Sequence, residues 1–351
     1  MKCFSIDESG YTGYDLLNTD QRFQGSTALS IPDDEARRLI SYFFPRLQAD
    51  ELKFGTCARR PAYRKPLMEL QREVLKNHSC VTSVCDKRFV LTLKFLDYAV
   101  EPYYFERGYD FYADGQNVAY ASLLYVTGPT LLGQSEFEAL LHAFQTAVRV
   151  KTKASIDRLQ LIARSIVVPD LIEGLGPLCI GSQECVDAIC NPRVTTDAAL
   201  AVLLSLIHRT EVLTTEAYRV EHDQSKNLLT YNDYLTKLIG HQHTVEFELT
   251  RDTQLKFPLK LQSVTQVDSK ASSSVQIADV MIGAALDATR GLASNGKSLL
   301  NPDEVFELYG DEQLIHLVPS INFEEEHTFR ANSQASELVE YLARHIESHT
   351  A

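Results

Sequence analysis

A long helical stretch, from about Asn117 to His208, splits the strand-like segments of this chain into two groups, so any single sheet must be assembled across it. Before it, strand character is expected at Lys2–Ile6, Thr27–Ile31, Val81–Cys85 and Phe89–Leu96; after it, at Thr215–Glu221 and Leu259–Val267. The stretch is broken at Gly128-Pro129, at Pro169, at Gly174-Leu175-Gly176-Pro177 and at Asn191-Pro192. It is therefore expected to be an insertion, residues 117–212, packed as its own layer.

In the first strand Phe4, Ile6 and Glu8 share one face, with Cys3, Ser5 and Asp7 on the other. Pro32-Asp33-Asp34-Glu35 opens a helix to about Phe44, its acids at the positive end of the helix dipole. Further helices are expected at about Tyr63–Lys76 and Asn227–Ile239, with Glu51-Leu52-Lys53-Phe54-Gly55 in a connection. Asp86-Lys87-Arg88, between two β-rich runs, reads as the turn of a hairpin. The clearest helix is Ser273–Ala288, where Val275, Ala278, Ile282 and Ala285 form an apolar stripe with Asp279 beside it.

Charge narrows the partners. Lys and Arg total 34 against 47 Asp and Glu, a net charge of −13, which opposes a protein that coats duplex DNA by displacing counterions. A locally basic groove remains open to it. Lys53 to Arg88 holds nine Lys or Arg and three acids, and His142 to Ser165 holds five basic residues against Asp157. Each run could track a phosphate backbone or be a solvated helix face. Tyr103, Tyr104, Phe105, Tyr109, Phe111 and Tyr112 could stack bases, though packing is the simpler role. Cys179, Cys185 and Cys190 lack a C-x-x-C knuckle, and seven scattered cysteines read as reduced thiols. A strand beginning at Lys2 leaves no room for a signal peptide, and the longest apolar run, Ala198–Ile207, is too short to span a bilayer, so a cytoplasmic location is expected.

Five acids stand out: Asp7, Asp223 and Asp268 at strand ends, Glu51 after the first helix, and Asp279 on the packed last helix. Phosphoryl-transfer sites draw such carboxylates together around Mg²⁺ or Mn²⁺. Structural roles compete: turn chemistry for Asp7, helix capping for Asp223 and Asp268. Asp279 is harder to explain so, because an acid beside a packed stripe needs a partner. No G-x-S-x-G elbow occurs, and Gly10-x-x-Gly13 lacks the ending of a phosphate-binding loop.

Several segments, in order, resemble one bacterial and phage family, domain of unknown function 3800. They are Asp7-Glu8-Ser9-Gly10 with Thr12-Gly13, Glu51-Leu52-Lys53, Asp86-Lys87, His222-Asp223, and Asp268-Ser269-Lys270 followed by Gln276-Ile277-Ala278-Asp279. The resemblance covers roughly residues 1–290. It implies an α/β, ribonuclease H-like mixed sheet flanked by helices, with the 117–212 insertion inside it and an acidic extension, 291–351, packed on the core. It further implies a divalent-metal-dependent nuclease holding two Mg²⁺ or Mn²⁺ ions. On that resemblance Asp7, Glu51, Asp223 and Asp279 are the catalytic acids, and Asp7, Asp223 and Asp279 hold metal, with Asp268 either a further ligand or a cap. Glu51 departs from the pattern, lying in a loop where the fold places a helix. Lys53 and Lys87 would bind phosphates of an RNA or DNA substrate, and Glu8, Ser9 and Gln276 would support the acids. His222 could assist proton transfer, but a structural role suits it better. The alternative is a non-catalytic binding or regulatory module in a phage or defence context.

Overall fold

A computed structural model describes residues 1–224, 230–250, 253–293 and 298–347. Its strands are β1 (Lys2–Ser9), β2 (Phe23–Ser30), β3 (Ser79–Asp86), β4 (Tyr218–Asp223), β5 (Val245–Thr250), β6 (Thr253–Phe257), β7 (Leu261–Val267) and β8 (Leu314–Leu317). Six of them form a mixed sheet in the order β7-β4-β1-β2-β3-β8, while β5 and β6 make a separate hairpin. β1, β2 and β3 are successively antiparallel; β4 runs parallel to β1, β7 to β4 and β8 to β3. All main-sheet strands except β2 therefore end at one edge, where crevices of such sheets receive ligands.

The alternation of β1 assigns the two layers. Phe4 and Ile6 pack on one face with Leu203, Leu206 and Ile207 of helix Ala199–Leu213. Ser5 faces the other side, where its hydroxyl donates to Ser274 Oγ at 2.7 Å. Ser274 begins the long helix Ser273–Ala293, whose Ile277, Val280, Met281 and Ala284 share a core with the helices α1 (Asp33–Phe43), α2 (Phe54–Cys57) and α3 (Pro61–Asn77). Helices thus cover both faces of the sheet. The segment between β3 and β4 is helical and closes its own large core, including Phe95, Phe137, Phe144 and Leu159.

Several expectations are corrected. Phe89–Leu96 is not a strand: it lies in helix α4 (Lys87–Ala99), and the hairpin is absent. Asp86 caps this helix, accepting from Arg88 N at 3.0 Å and Phe89 N at 3.3 Å. The helix is buried on nearly every side, so its sequence shows an apolar run without helical period. Gly128-Pro129 lies inside helix Gln116–Leu131, and Gly174 to Pro177 inside helix Ile172–Ile180, so neither breaks the chain as expected. The hairpin β5–β6 was not foreseen. Nor was β8, by which the C-terminal segment enters the main sheet beside β3 instead of only packing on it. The expected helix at Asn227–Ile239 falls in part outside the described residues; within them the helix is Asn232–Gly240. All seven cysteines are free thiols. No helix among the described residues is long and apolar enough to cross a membrane.

Candidate active site

The end of β1 turns sharply at Gly10, whose φ of +82° disfavours any side chain; a Cβ there would lie 2.1 Å from the Phe23 carbonyl. Just before this turn, Asp7 points to the face covered by helix Ser273–Ala293, as its neighbour Ser5 does. Its Oδ1 accepts from Glu8 N at 2.8 Å. On the adjacent parallel strand Asp223 ends β4, its Oδ1 accepting from Gln224 N at 2.8 Å and from Ser269 N at 3.3 Å.

Glu51 lies in the loop before α2, and Ser269 ties it to Asp223: the Ser269 hydroxyl donates to Glu51 Oε2 at 3.1 Å. Gln276 and Asp279 stand three apart on one helix face and both hold that loop. Leu52 N donates to Gln276 Oε1 at 2.8 Å, and Phe54 N to Asp279 Oδ2 at 2.6 Å. Gln276 Nε2 also donates to the Ser269 carbonyl at 2.8 Å, so one amide joins the loop to the turn after β7. Gly283 allows the approach, since a Cβ there would meet Phe54 Cβ at 2.5 Å.

The charges act on one another. Burial first, and then the charge of Asp279, push the Asp7 carboxyl up to about 8; Asp223 adds to this. Burial likewise raises Asp279, against the help of the Phe54 N–H and the Lys53 ammonium. Lys53 Nζ is 3.5 Å from Glu51 Oε1. Burial works against its charge, but the fields of Glu51, Asp279, Asp7 and Asp223 hold the ammonium above the usual lysine range. Four acids from two strand ends, a loop and a helix thus share one electrostatic neighbourhood with a lysine. Among the described residues, no three His, Cys, Asp or Glu side chains stand close enough to share an ion.

Other expected residues fall elsewhere. Asp268 is exposed and accepts from Lys270 N at 3.0 Å, a turn residue that neither joins the cluster nor caps the helix. Lys87 is fully buried, with Nζ donating to the Gly10 carbonyl at 2.9 Å and to Thr12 Oγ1 at 2.7 Å. It fastens the turn after β1 and cannot reach a phosphate in solvent. Asp86, beside it, is equally structural: Arg22 Nη2 lies at 2.6 Å and Tyr125 donates at 3.0 Å. Glu8 points away from the acids, its charge acting on His222 and Tyr11. Ser9 pairs with Gly25 in the ladder and makes no hydrogen bond to the acids among the described residues. His222 is buried, with Nδ1 2.6 Å from the Asp223 carbonyl, and burial lowers its pKa. Tyr104, stacked on Phe111, and Tyr112, donating to Asp97 at 2.7 Å, serve packing. Ser269 was the residue missed; its place in the Asp268-Ser269-Lys270 segment was the available signal.

The chain matches no protein-family model, no curated protein and no solved structure. The likeness to domain of unknown function 3800 therefore rests on the motif segments alone.

Proposed function

We propose that this protein is a divalent-metal-dependent nuclease of ribonuclease H-like fold that hydrolyses phosphodiesters of nucleic acid. The observation that carries the reading is the network in which Ser269 joins Asp223 at the end of β4 to Glu51, and Gln276 and Asp279 hold the Glu51 loop, with Asp7 of the adjacent strand within the field of Asp279 and Asp223. The antiparallel run β1–β2–β3, extended past β1 by parallel β4 and β7, supports the fold assignment. The donor set fits Mg²⁺ or Mn²⁺ in kind, being hard carboxylate oxygen without sulfur or imidazole. Asp7, Asp223 and Asp279 would hold the metal, with Glu51 beside them, once the carboxylates close up on it, since among the described residues no three of them stand within reach of one ion. A metal bound there supplies an activated water and offsets charge on the phosphate. The protein's own share is orientation: Gln276 fixes the Glu51 loop, Ser269 aims Glu51 and Asp223, and Lys53 offers positive charge to a phosphate.

One observation favours a non-catalytic binding module instead. The acids do not stand as a ligating group among the described residues, and Lys53 already offsets their charge. The two readings separate on labelled RNA and DNA, single- and double-stranded, incubated with Mn²⁺, Mg²⁺ or EDTA. Cleavage is expected with metal and not with EDTA, falling by roughly 100-fold or more in Asp279→Asn. No cleavage with either metal, or equal cleavage by the variant, would overturn the nuclease reading.

A further inference from the structure

The two basic runs of the sequence behave differently in the fold. In the second, Lys151 Nζ donates to the carbonyls of Asn191 and Val194 at 2.7 Å each. Lys153 pairs with Asp157 at 2.6 Å, and Arg164 Nε donates to the Cys179 carbonyl at 2.7 Å. Lys151 and Arg164 are thus engaged on backbone carbonyls and Lys153 in an exposed pair, while Arg149 and Arg158 are exposed but belong to helices that carry none of the four acids.

In the first run, Leu52 to Met68 contains Lys53, Arg59, Arg60, Arg64 and Lys65 and no acid. These residues form an elbow: α2, a turn through Ala58 to Arg60, and the first turns of α3. Arg64 Nε donates to the Ala58 carbonyl at 3.1 Å, which stiffens the turn. Arg60 lies over the Tyr63 ring, 5.8 Å from its centroid. Lys65 reaches Glu69 only at 3.7 Å, with its side chain 85% exposed. Arg59 and Arg60 are exposed. Among the described residues no carboxylate pairs with Arg59, Arg60 or Arg64.

The elbow is anchored to the acids at its start, through Phe54 N on Asp279 and the close approach of Phe54 to Gly283. Arg59 follows Phe54 by five residues, so at full extension it lies at most about 18 Å away. A nucleic-acid strand advances about 3.4 Å of helix axis per phosphate, so this reach spans at most about five nucleotides, and fewer because Phe54–Cys57 is helical. A cluster of carboxylates in a chain of net charge −13 repels a polyanion unless cations stand beside it. Guanidinium forks match phosphate oxygens in pairs.

We propose that the α2–α3 elbow grips the phosphate backbone of the nucleic-acid substrate next to the carboxylate site, with Arg59, Arg60 and Arg64 as its phosphate-binding residues. The proposal rests on the nuclease reading for the identity of the substrate. Its test is fluorescence anisotropy in EDTA, with fluorescein-labelled RNA and DNA oligonucleotides, single-stranded and duplex, over a series of salt concentrations. The variants are Arg59→Gln with Arg60→Gln, and, as a control on the other run, Lys153→Gln with Arg158→Gln. The elbow pair should weaken binding at least about 10-fold at low salt. It should lower the slope of log Kd against log salt by about 1.4 for single strands or about 1.8 for duplex, the value for two lost phosphate contacts. The control should leave both unchanged, and Arg59→Lys with Arg60→Lys should restore most of the slope, which a folding defect would not. An unchanged slope, an equal loss in the control, or no nucleic-acid binding by the parent overturns the proposal. A parent that cleaves with Mn²⁺ yet ignores the elbow substitutions sinks the elbow alone. One that binds through the elbow yet never cleaves sinks the nuclease reading alone.

Discussion

Asp7 is a buried carboxyl whose charge the fold opposes. Its carboxyl is raised to about 8 in the fold, with burial the first cause and Asp279 the second, whereas an unfolded aspartate titrates near 3.8. The folded chain thus binds a proton that the unfolded chain has lost, and stability falls as pH rises from about 4 to about 8. In EDTA the melting temperature should decline across that window, and Asp7→Asn should flatten the decline and melt above the parent at pH 8. Thermal melts of both proteins from pH 5 to 8.5 check this; parallel curves would mean that Asp7 is not the group responsible. Asp279 behaves differently, because Oδ2 holds Phe54 N. Asparagine keeps an acceptor there, so Asp279→Asn should leave the metal-free melting temperature unchanged or slightly higher while removing the rise that Mn²⁺ gives the parent by mass action. A parent indifferent to Mn²⁺, with a variant that unfolds, would make Asp279 a purely structural residue.

At the scale of elements, the site is one helix holding one loop. Gln276→Ala removes an acceptor from buried Leu52 N and a donor from the Ser269 carbonyl, and should cost about 1–3 kcal/mol in urea denaturation. If the carboxylates work as a group, it should also reduce activity more than a surface substitution of equal cost. Unchanged stability would show that water replaces the amide without loss. The same interactions explain what could be read in advance. The positions of Asp7 and Asp223 near strand ends and of Asp279 on the last helix were legible because strand ends and a polar position on an apolar helix leave marks in sequence, whereas Glu51, in a loop, was singled out by the resemblance. Lys87 and Asp268 lay in equally suggestive segments, but their roles depend on burial: Lys87 is enclosed by the turn it fastens, and Asp268 closes a local turn at the surface. Helix α4 was misread for a related reason, since burial on nearly every side erases the 3.6-residue period that distinguishes a helix from a strand.

At the scale of the whole molecule, the acidic C-terminal segment belongs to the fold more deeply than its composition suggested. β8 is four residues long and sits in a stretch rich in Asp and Glu, too short to stand out by pattern. Yet it covers the edge of β3, pairing Thr82 to Cys85 with Leu314 to Leu317, and Gln313 Nε2 donates to the Leu75 carbonyl at 2.8 Å. Farther on, Leu338, Tyr341 and Leu342 pack against the core formed by Phe247 and Phe257 of the β5–β6 hairpin. Ending the chain after Leu308 would therefore bare β3, whose residues from Cys80 to Asp86 are all buried, as an exposed edge strand. It would also uncover one side of the hairpin. The truncated protein should melt at least about 10 °C lower, or aggregate, even though none of the four acids is touched. Size-exclusion chromatography and thermal melts of the two chains decide it. A monomeric truncated protein with the parent's melting temperature would mean that the segment only rests on a sheet already complete without it.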